Sequence, residues 1–256
     1  MHKIRAFAAR NGREILREPL SYIFCLGFPL VMLAIMTLVD KSIPKEAGMT
    51  IFHTENLAGG IAVFGLTFIM LFTAITVARD RSGAFLVRMY ATPMTSMDFS
   101  LGYMLPMLAI AVAQGVLIGM CSLLVSLFAG GSLTVSGAAL SVAVLIPSAV
   151  LFVGFGLLFG TLFSEKTAPG LCSIVISLGS FLGSIWFDAE ATGGVLLNIS
   201  RCLPFHYCTK SVRMAMQLHF TWAGFGLPLL IVCGCAIVLV VVASFVFKGK
   251  MKADLA

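Results

Sequence analysis

Residues 99 to 164 contain no Asp, Glu, Lys or Arg, and neither do residues 214 to 247. Soluble domains carry about 25% charged residues, and only chain embedded in lipid dispenses with them over such lengths. The whole sequence follows suit, with 59% hydrophobic against 11% charged residues and a mean hydropathy of +1.04. The chain reads as an integral membrane protein.

A helical span needs roughly 20 apolar residues. On that rule the uncharged runs divide into six spans, about 20–39, 58–78, 103–128, 138–163, 170–187 and 226–247. The fold class expected is all-α, with six transmembrane helices preceded by an interfacial helix over 1–18. The 138–163 run is long for one perpendicular helix and is expected to tilt, or to bend near Pro147. Closed β-barrels alternate apolar and polar residues in strands of roughly 10, and nothing here alternates that way. Residues 19–39 exceed a signal-peptide core of about 7 to 15 residues and lack a small-x-small site after it, so they read as a retained span. With the N-terminus inside, twelve of the 17 Lys and Arg residues fall in inner segments and five in outer ones. Both ends are therefore expected on the cytoplasmic side of the cell membrane. The net charge of +6 is accounted for by basic residues meeting anionic lipid headgroups, without nucleic acid.

Residues 2–18 place Ile4, Phe7, Ala8, Ile15 and Leu16 roughly on one helical side and Arg10, Arg13 and Arg17 on another. This pattern suits a helix lying in the interface plane, or a basic tail obeying the positive-inside rule. Short loops join the spans into a single transmembrane domain over 1–256. The exception is the outer segment 188–225, where the Gly193-Gly194 and Pro204 breaks leave room for two short re-entrant helices, 195–199 and 205–216. Cys25, Cys121, Cys172, Cys233 and Cys235 fall in predicted spans, where Cys acts as a small hydrophobe. Cys202 and Cys208 share an outer loop and either pair or remain free thiols.

No predicted span holds an acid or a base, whereas proton relays, ion pathways and voltage sensors depend on intramembrane ionisable residues. An ion-coupled transporter is disfavoured. Without H-E-x-x-H, paired membrane aspartates or G-x-S-x-G, so is an intramembrane hydrolase. His53, His206 and His219 lie in predicted outer loops without metal-ligand spacing and read as structural or solvated. A P-loop needs G-x-x-x-x-G-K followed by Ser or Thr, but the only Gly-Lys pair is Gly249-Lys250, followed by Met251. No catalytic residue, metal or cofactor is expected on this chain.

Between the second and third runs lies "RDRSGAFLVRMYATPMTSMD", residues 79–98. After Arg79, Asp80 and Arg81, the apolar residues Phe85, Leu86, Met89 and Tyr90 recur at helical spacing. Pro93 ends the run, because proline disfavours helix at the residue before it. The segment reads as a short amphipathic helix on the cytoplasmic surface, or as a basic loop with a few apolar anchors. Here the sequence resembles the membrane subunits of type-2 ABC exporters. Their loop after the second span typically reads acidic-Arg-Glu-x-Gly-Thr-Leu-x-Arg-Leu-x-Ala-Thr-Pro. Asp80, Arg81, Leu86, Arg88, Ala91, Thr92 and Pro93 match it, while Ser82 stands where a second acid is usual and Gly83 sits one place early. The Phe-Pro pair in "PLSYIFCLGFPLVML" and the Leu-Pro of "LPFHYCTKSVR" extend the likeness along nearly the whole chain.

The resemblance implies a permease that works as a dimer with a second copy or a sister permease, in contact with membrane lipid. Each half would dock on a separate ABC ATP-binding subunit, which carries the ATP and Mg. Residues 79–98 would be the coupling helix. Phe85, Leu86 and Met89 would enter the partner's groove, Arg81 and Arg88 would make charge contacts alongside Asp80, and Thr92 and Pro93 would set the exit angle. The implied pathway is lined by the second and fifth helices, with Thr67, Phe68, Phe72 and Thr73 facing Ser173, Ser177, Ser180 and Ser184. The serine stripe reads as a mildly polar wall or, with Gly179-x-x-x-Gly183, as close helix packing. Such an uncharged, partly aromatic wall suits an amphipathic or lipid-like cargo. Gln114 reads as an interhelical hydrogen bond. The residues also leave open a non-transporting scaffold or sensor that binds a partner through 79–98. A passive channel is disfavoured by the lack of a charged or backbone-rich filter.

Overall fold

A computed structural model of the chain describes residues 2–43, 51, 53–83, 94–129, 131, 133–187 and 189–253, and their regular structure is all helical. Helix α1 (His2–Arg17) gives way at Glu18 to α2 (Pro19–Ser42). Pro19 opens the new helix because its fixed φ and missing N–H suit a first turn. A single wide turn, Ile23–Gly27, interrupts α2. There follow α3 (Thr54–Ser82), α4 (Ser96–Ala129), α5 (Val135–Leu162) and α6 (Ala168–Leu182). Three short helices, α7 (Ala189–Thr192), α8 (Gly194–Cys202) and α9 (Pro204–Met216), lead through a wide turn at Trp222–Gly226 into α10 (Leu227–Ala253).

Among the described residues five helices are long and apolar enough to cross a membrane: α2, α3, α4, α5 and the stretch Trp222–Lys250. The remaining expected span, 170–187, is instead a helix of 15 residues, about 23 Å long against a hydrocarbon core of about 30 Å. It stops because the chain turns at Gly183 and Ser184, the latter at φ 58°, a conformation that interrupts a right-handed helix. Segment 188–225 carries the two short helices that its breaks predict, with α7 in addition. Gly193 and Gly194 stand at φ 66° and 64°, where a side chain would be strained. Cys202 and Cys208 are free thiols, the first exposed and the second buried.

α3 is the centre of the bundle, and every residue from Leu57 to Thr67 is buried. An apolar helix buried all round needs neighbours on all sides. α5 meets it backbone to backbone: a Cβ on Gly156 would lie 2.4 Å from the Met70 carbonyl, and one on Gly160 would lie 2.5 Å from that of Ala74. Lipid offers apolar helices no hydrophobic reason to associate, so such close van der Waals contact is what holds them. From another side α4 lays Gln114 over Gly65, and its Nε2 donates to the Ala62 carbonyl at 3.0 Å. This is the interhelical bond expected of Gln114.

α1 packs across α4 with Phe7, Asn11 and Ile15, which are buried at a spacing of four. The Phe7 ring meets Phe99 and Tyr103 edge-on at centroid distances of 5.4 and 5.0 Å, and Asn11 Nδ2 donates to the Gly102 carbonyl at 3.1 Å. Leu16, expected on the side of Phe7 and Ile15, is 70% exposed. The buried face is centred on Asn11 because its amide finds a backbone partner there.

Gly156→Leu should therefore lower the melting temperature of the purified protein, through an overpacking cost of about 1–3 kcal/mol. Gly234→Leu on α10, where a Cβ meets nothing within 4 Å, should leave it unchanged. Equal melting curves for the two variants would mean that α3 and α5 are not in close contact.

Candidate functional site

α3 ends in Arg79, Asp80 and Arg81, and each grips a different neighbour. Asp80 is only 7% exposed. Its carboxylate accepts from Arg10 Nη1 at 2.7 Å and Nη2 at 3.3 Å, and from the Tyr103 hydroxyl at 2.8 Å. A guanidinium and a phenol donor together satisfy the buried charge. Arg10 also holds Glu14 at 2.5 Å. Arg79 pairs with Glu18 at 3.0 Å and with Glu165 at 3.1 Å, though exposed pairs of this kind contribute little each. Arg81 Nη1 donates to the carbonyls of Gly160 at 3.2 Å and of Thr161. These lie at the C-terminal end of α5, where unpaired carbonyls and the helix dipole favour a cation. Three consecutive residues thus bind α3 to α1, to α4, to α5 and to the loop beyond α5.

α4 opens on a reciprocal cap. Thr95 N donates to Asp98 Oδ2 at 2.9 Å and Asp98 N donates to Thr95 Oγ1 at 3.3 Å, so two amides of the first turn are satisfied. Of the residues read as a coupling set, Asp80 and Arg81 are engaged within the chain as described. Phe85, Leu86, Arg88, Met89, Thr92 and Pro93 lie outside the described residues.

The residues read as a pathway are placed as follows. Thr67 and Thr73 are buried, and each hydroxyl donates to a carbonyl of its own helix, those of Phe64 and Ile69, at 2.6 Å. Thr73 packs where a Cβ on Gly156 would be. Phe68 and Phe72 join a ladder of rings. Along it, Phe72 and Phe24 lie 6.3 Å apart, Phe24 and Phe68 5.9 Å, Phe68 and Phe28 5.1 Å, Phe28 and Phe64 6.1 Å, and Phe64 and Trp186 5.1 Å between centroids. Ser173 and Ser177 are exposed, whereas Ser180 and Ser184 are buried, because the far half of the stripe runs under α9. There Phe205 covers Gly179 and Gly183.

At that end Ser184 Oγ lies 3.1 Å from His206 Nδ1, and His206 Nε2 lies 3.7 Å from Glu190 Oε1, which also pairs with Lys210 at 2.5 Å. The order resembles a hydrolytic triad, but Ser184 is only 4% exposed and a nucleophile has to be reached by its substrate. The group instead ties the turn after α6 to α7 and α9. Burial pushes the His206 pKa below its ordinary value; Glu190 opposes the shift and Lys210, Arg201 and Arg213 reinforce it. Beside it Arg213 lies over Gly59 and Gly60. Its Nε donates to the Asn56 carbonyl at 2.8 Å, and Gln217 Nε2 donates to Asn56 Oδ1 at 2.7 Å. The residues reaching Asp80 and Asn56 escaped the sequence reading because their partners are 23 to 161 positions apart, and no local spacing encodes that.

Asp80→Ala strands Arg10 against the bundle and should cost about 1–3 kcal/mol, read as faster tryptic cleavage within α1. The double variant with Arg10→Ala should lose less than the two single losses combined, and additive losses would show the pair to be uncoupled. For His206, whose pKa is lowered from 6.5, the neutral-state stability is present above that ordinary value and is lost as pH falls below it. Acidification from neutral pH should therefore lower the melting temperature of the parent more than that of His206→Gln. Parallel pH profiles would remove this role.

A family model described as ABC-2 type transporter matches residues 2–217, a stretch that takes in α1 to α9. No curated protein matches the chain. Since the model spans most of the sequence and the all-helical bundle is apolar enough for a multi-pass membrane protein, the chain belongs to the ABC-2 type transporter family.

Proposed function

We propose that the chain is the permease subunit of an ATP-driven exporter that moves an amphipathic or lipid-like substrate, powered by a separate ATP-binding subunit that carries ATP and Mg. The observation that carries this reading is the anchoring of residues 79–81 to α1, α4 and α5. A push on the following loop by a partner subunit reaches three helices at once through α3, because Asp80 and Arg81 hold them to it. This is how a chain without a nucleotide site converts closure of a partner into a rigid-body movement of its own helices. Phe85, Leu86 and Met89 seat in the partner's groove, with Arg88 as a charge contact and Thr92-Pro93 turning the chain back toward α4.

In the same reading both termini are cytoplasmic and the protein sits in the cell membrane as a dimer with a second copy or a sister permease. The short helix α6 makes a sixth crossing together with the turn that follows it. Ile174, Leu178 and Phe181 are exposed on α6, as are Ser173 and Ser177, so this helix keeps a face for the pathway between the halves. Within the ring ladder Phe24 is exposed and Phe28, Phe68 and Trp186 are half-buried, and this uncharged aromatic edge supports an apolar or amphipathic cargo.

The test is to tag the chain in its native host, solubilise it gently and identify what co-purifies with it and with a Phe85→Asp/Arg88→Glu variant. A P-loop ATPase is expected with the parent and not with the variant. If none appears under conditions that preserve other membrane complexes, the scaffold reading takes over.

A further inference from the structure

Under the elbow between α1 and α2 lies a pocket against the end of α3, where that reading uses Arg79 and Asp80 only as anchors. It has a volume of about 370 Å³, and its walls mix the carboxylates of Glu14, Glu18 and Asp80 with the guanidiniums of Arg17 and Arg79. Thr76 also lines it, one turn from Phe72 in the ring ladder, to whose carbonyl its hydroxyl donates at 2.8 Å. Pro19 is the last α2 residue in its wall, and further along that helix Leu20 and Ile23 are 57% and 54% exposed. A polar pocket therefore opens where apolar surface begins, which is the depth of a lipid headgroup against a spanning helix.

The existing pairs leave this wall with capacity. Glu14 gives one oxygen to Arg10, while Glu18 gives Oε1 to Arg79 and Oε2 to the Ser21 hydroxyl. An ionised carboxylate offers about four lone-pair positions, so both still accept. Arg17 is exposed and makes no ion pair among the described residues. Partial burial pushes the Glu14 pKa above its ordinary value, and the Asp80 charge adds to this while Arg10 opposes it. Glu14 and Asp80 share Arg10 and Glu18 holds Arg79, so the charges around the pocket nearly balance, with Arg17 the one guanidinium to spare.

We propose that this pocket binds the headgroup of a zwitterionic phospholipid carrying a primary ammonium, with the phosphate on Arg17, the ammonium between Glu14 and Glu18, and the acyl chains over Leu20 and Ile23. An anionic head without an amine brings no donor to the acceptor positions left on Glu14 and Glu18. A trimethylammonium brings charge but no N–H to donate to them. The assignment requires a membrane-spanning chain, but neither a direction of transport nor a cargo.

The experiment is native mass spectrometry of the full-length chain, purified in mild detergent and offered phosphatidylethanolamine, phosphatidylcholine and phosphatidylglycerol of identical acyl chains in equal amounts. The ethanolamine lipid should be retained several-fold over the other two. Arg17→Ala should remove most of that excess, and Glu14→Gln should narrow the gap between the ethanolamine and choline lipids. Arg13→Ala, an exposed α1 cation that does not line the pocket, should change neither. Equal retention of the three lipids, a preference for phosphatidylglycerol, or equal losses with Arg13→Ala and Arg17→Ala would each overturn the site, the last by reducing it to a diffuse basic surface.

Discussion

The bundle depends on how closely its neighbours can approach α3. Three of them come to it over glycine: α5 through its own Gly156 and Gly160, α4 with Gln114 laid over Gly65, and α9 with Arg213 laid over Gly59 and Gly60. In lipid there is no water to be gained by bringing apolar faces together, so the depth of contact decides whether helices associate. Small residues set that depth. Where a polar side chain crosses the gap, as Gln114 does to the Ala62 carbonyl, it adds a directional bond to a contact that packing alone would leave free to slide.

The ends of α3 are fixed by a different means. Charge is excluded from the hydrocarbon region by its solvation cost, so ionic groups gather at the two ends of the bundle. At one end Asp80, Arg79 and Arg81 reach four surrounding elements. At the other, Asn56 receives Arg213 and Gln217 from α9. A helix packed closely along its length and pinned at both ends moves with what it touches. In the proposed permease this makes α3 the natural carrier of movement from the loop after it to the opposite face.

Much of this architecture was legible in the chain. The charge-free runs mark α3, α4, α5 and α10, and the Gly193-Gly194 and Pro204 breaks mark where α8 and α9 begin, because glycine and proline change the backbone locally whatever surrounds them. The run at 170–187 misleads, since its composition is apolar to the end while its helix stops at Leu182. Ser184 is held in its turn by His206 from another helix, which no reading of residues 170–187 alone contains. The pathway set divides in the same way. Spacing puts Ser173, Ser177 and Ser180 on one side of a helix, but the covering Phe205 decides which of them are buried.

By itself the sequence determined that the chain lies in a membrane, that it is helical, roughly where its helices begin and end, and, through the family model over 2–217, its family. These follow from properties that each residue carries along the chain: transfer free energy, backbone preference and short-range order. Only the tertiary structure decided that α3 is the buried centre, that Asp80 belongs to Arg10 and Tyr103, and that Arg17 stands over a pocket of mixed charge. Those relations join residues tens of positions apart, and they exist only once packing has brought separate helices within a few ångströms of one another.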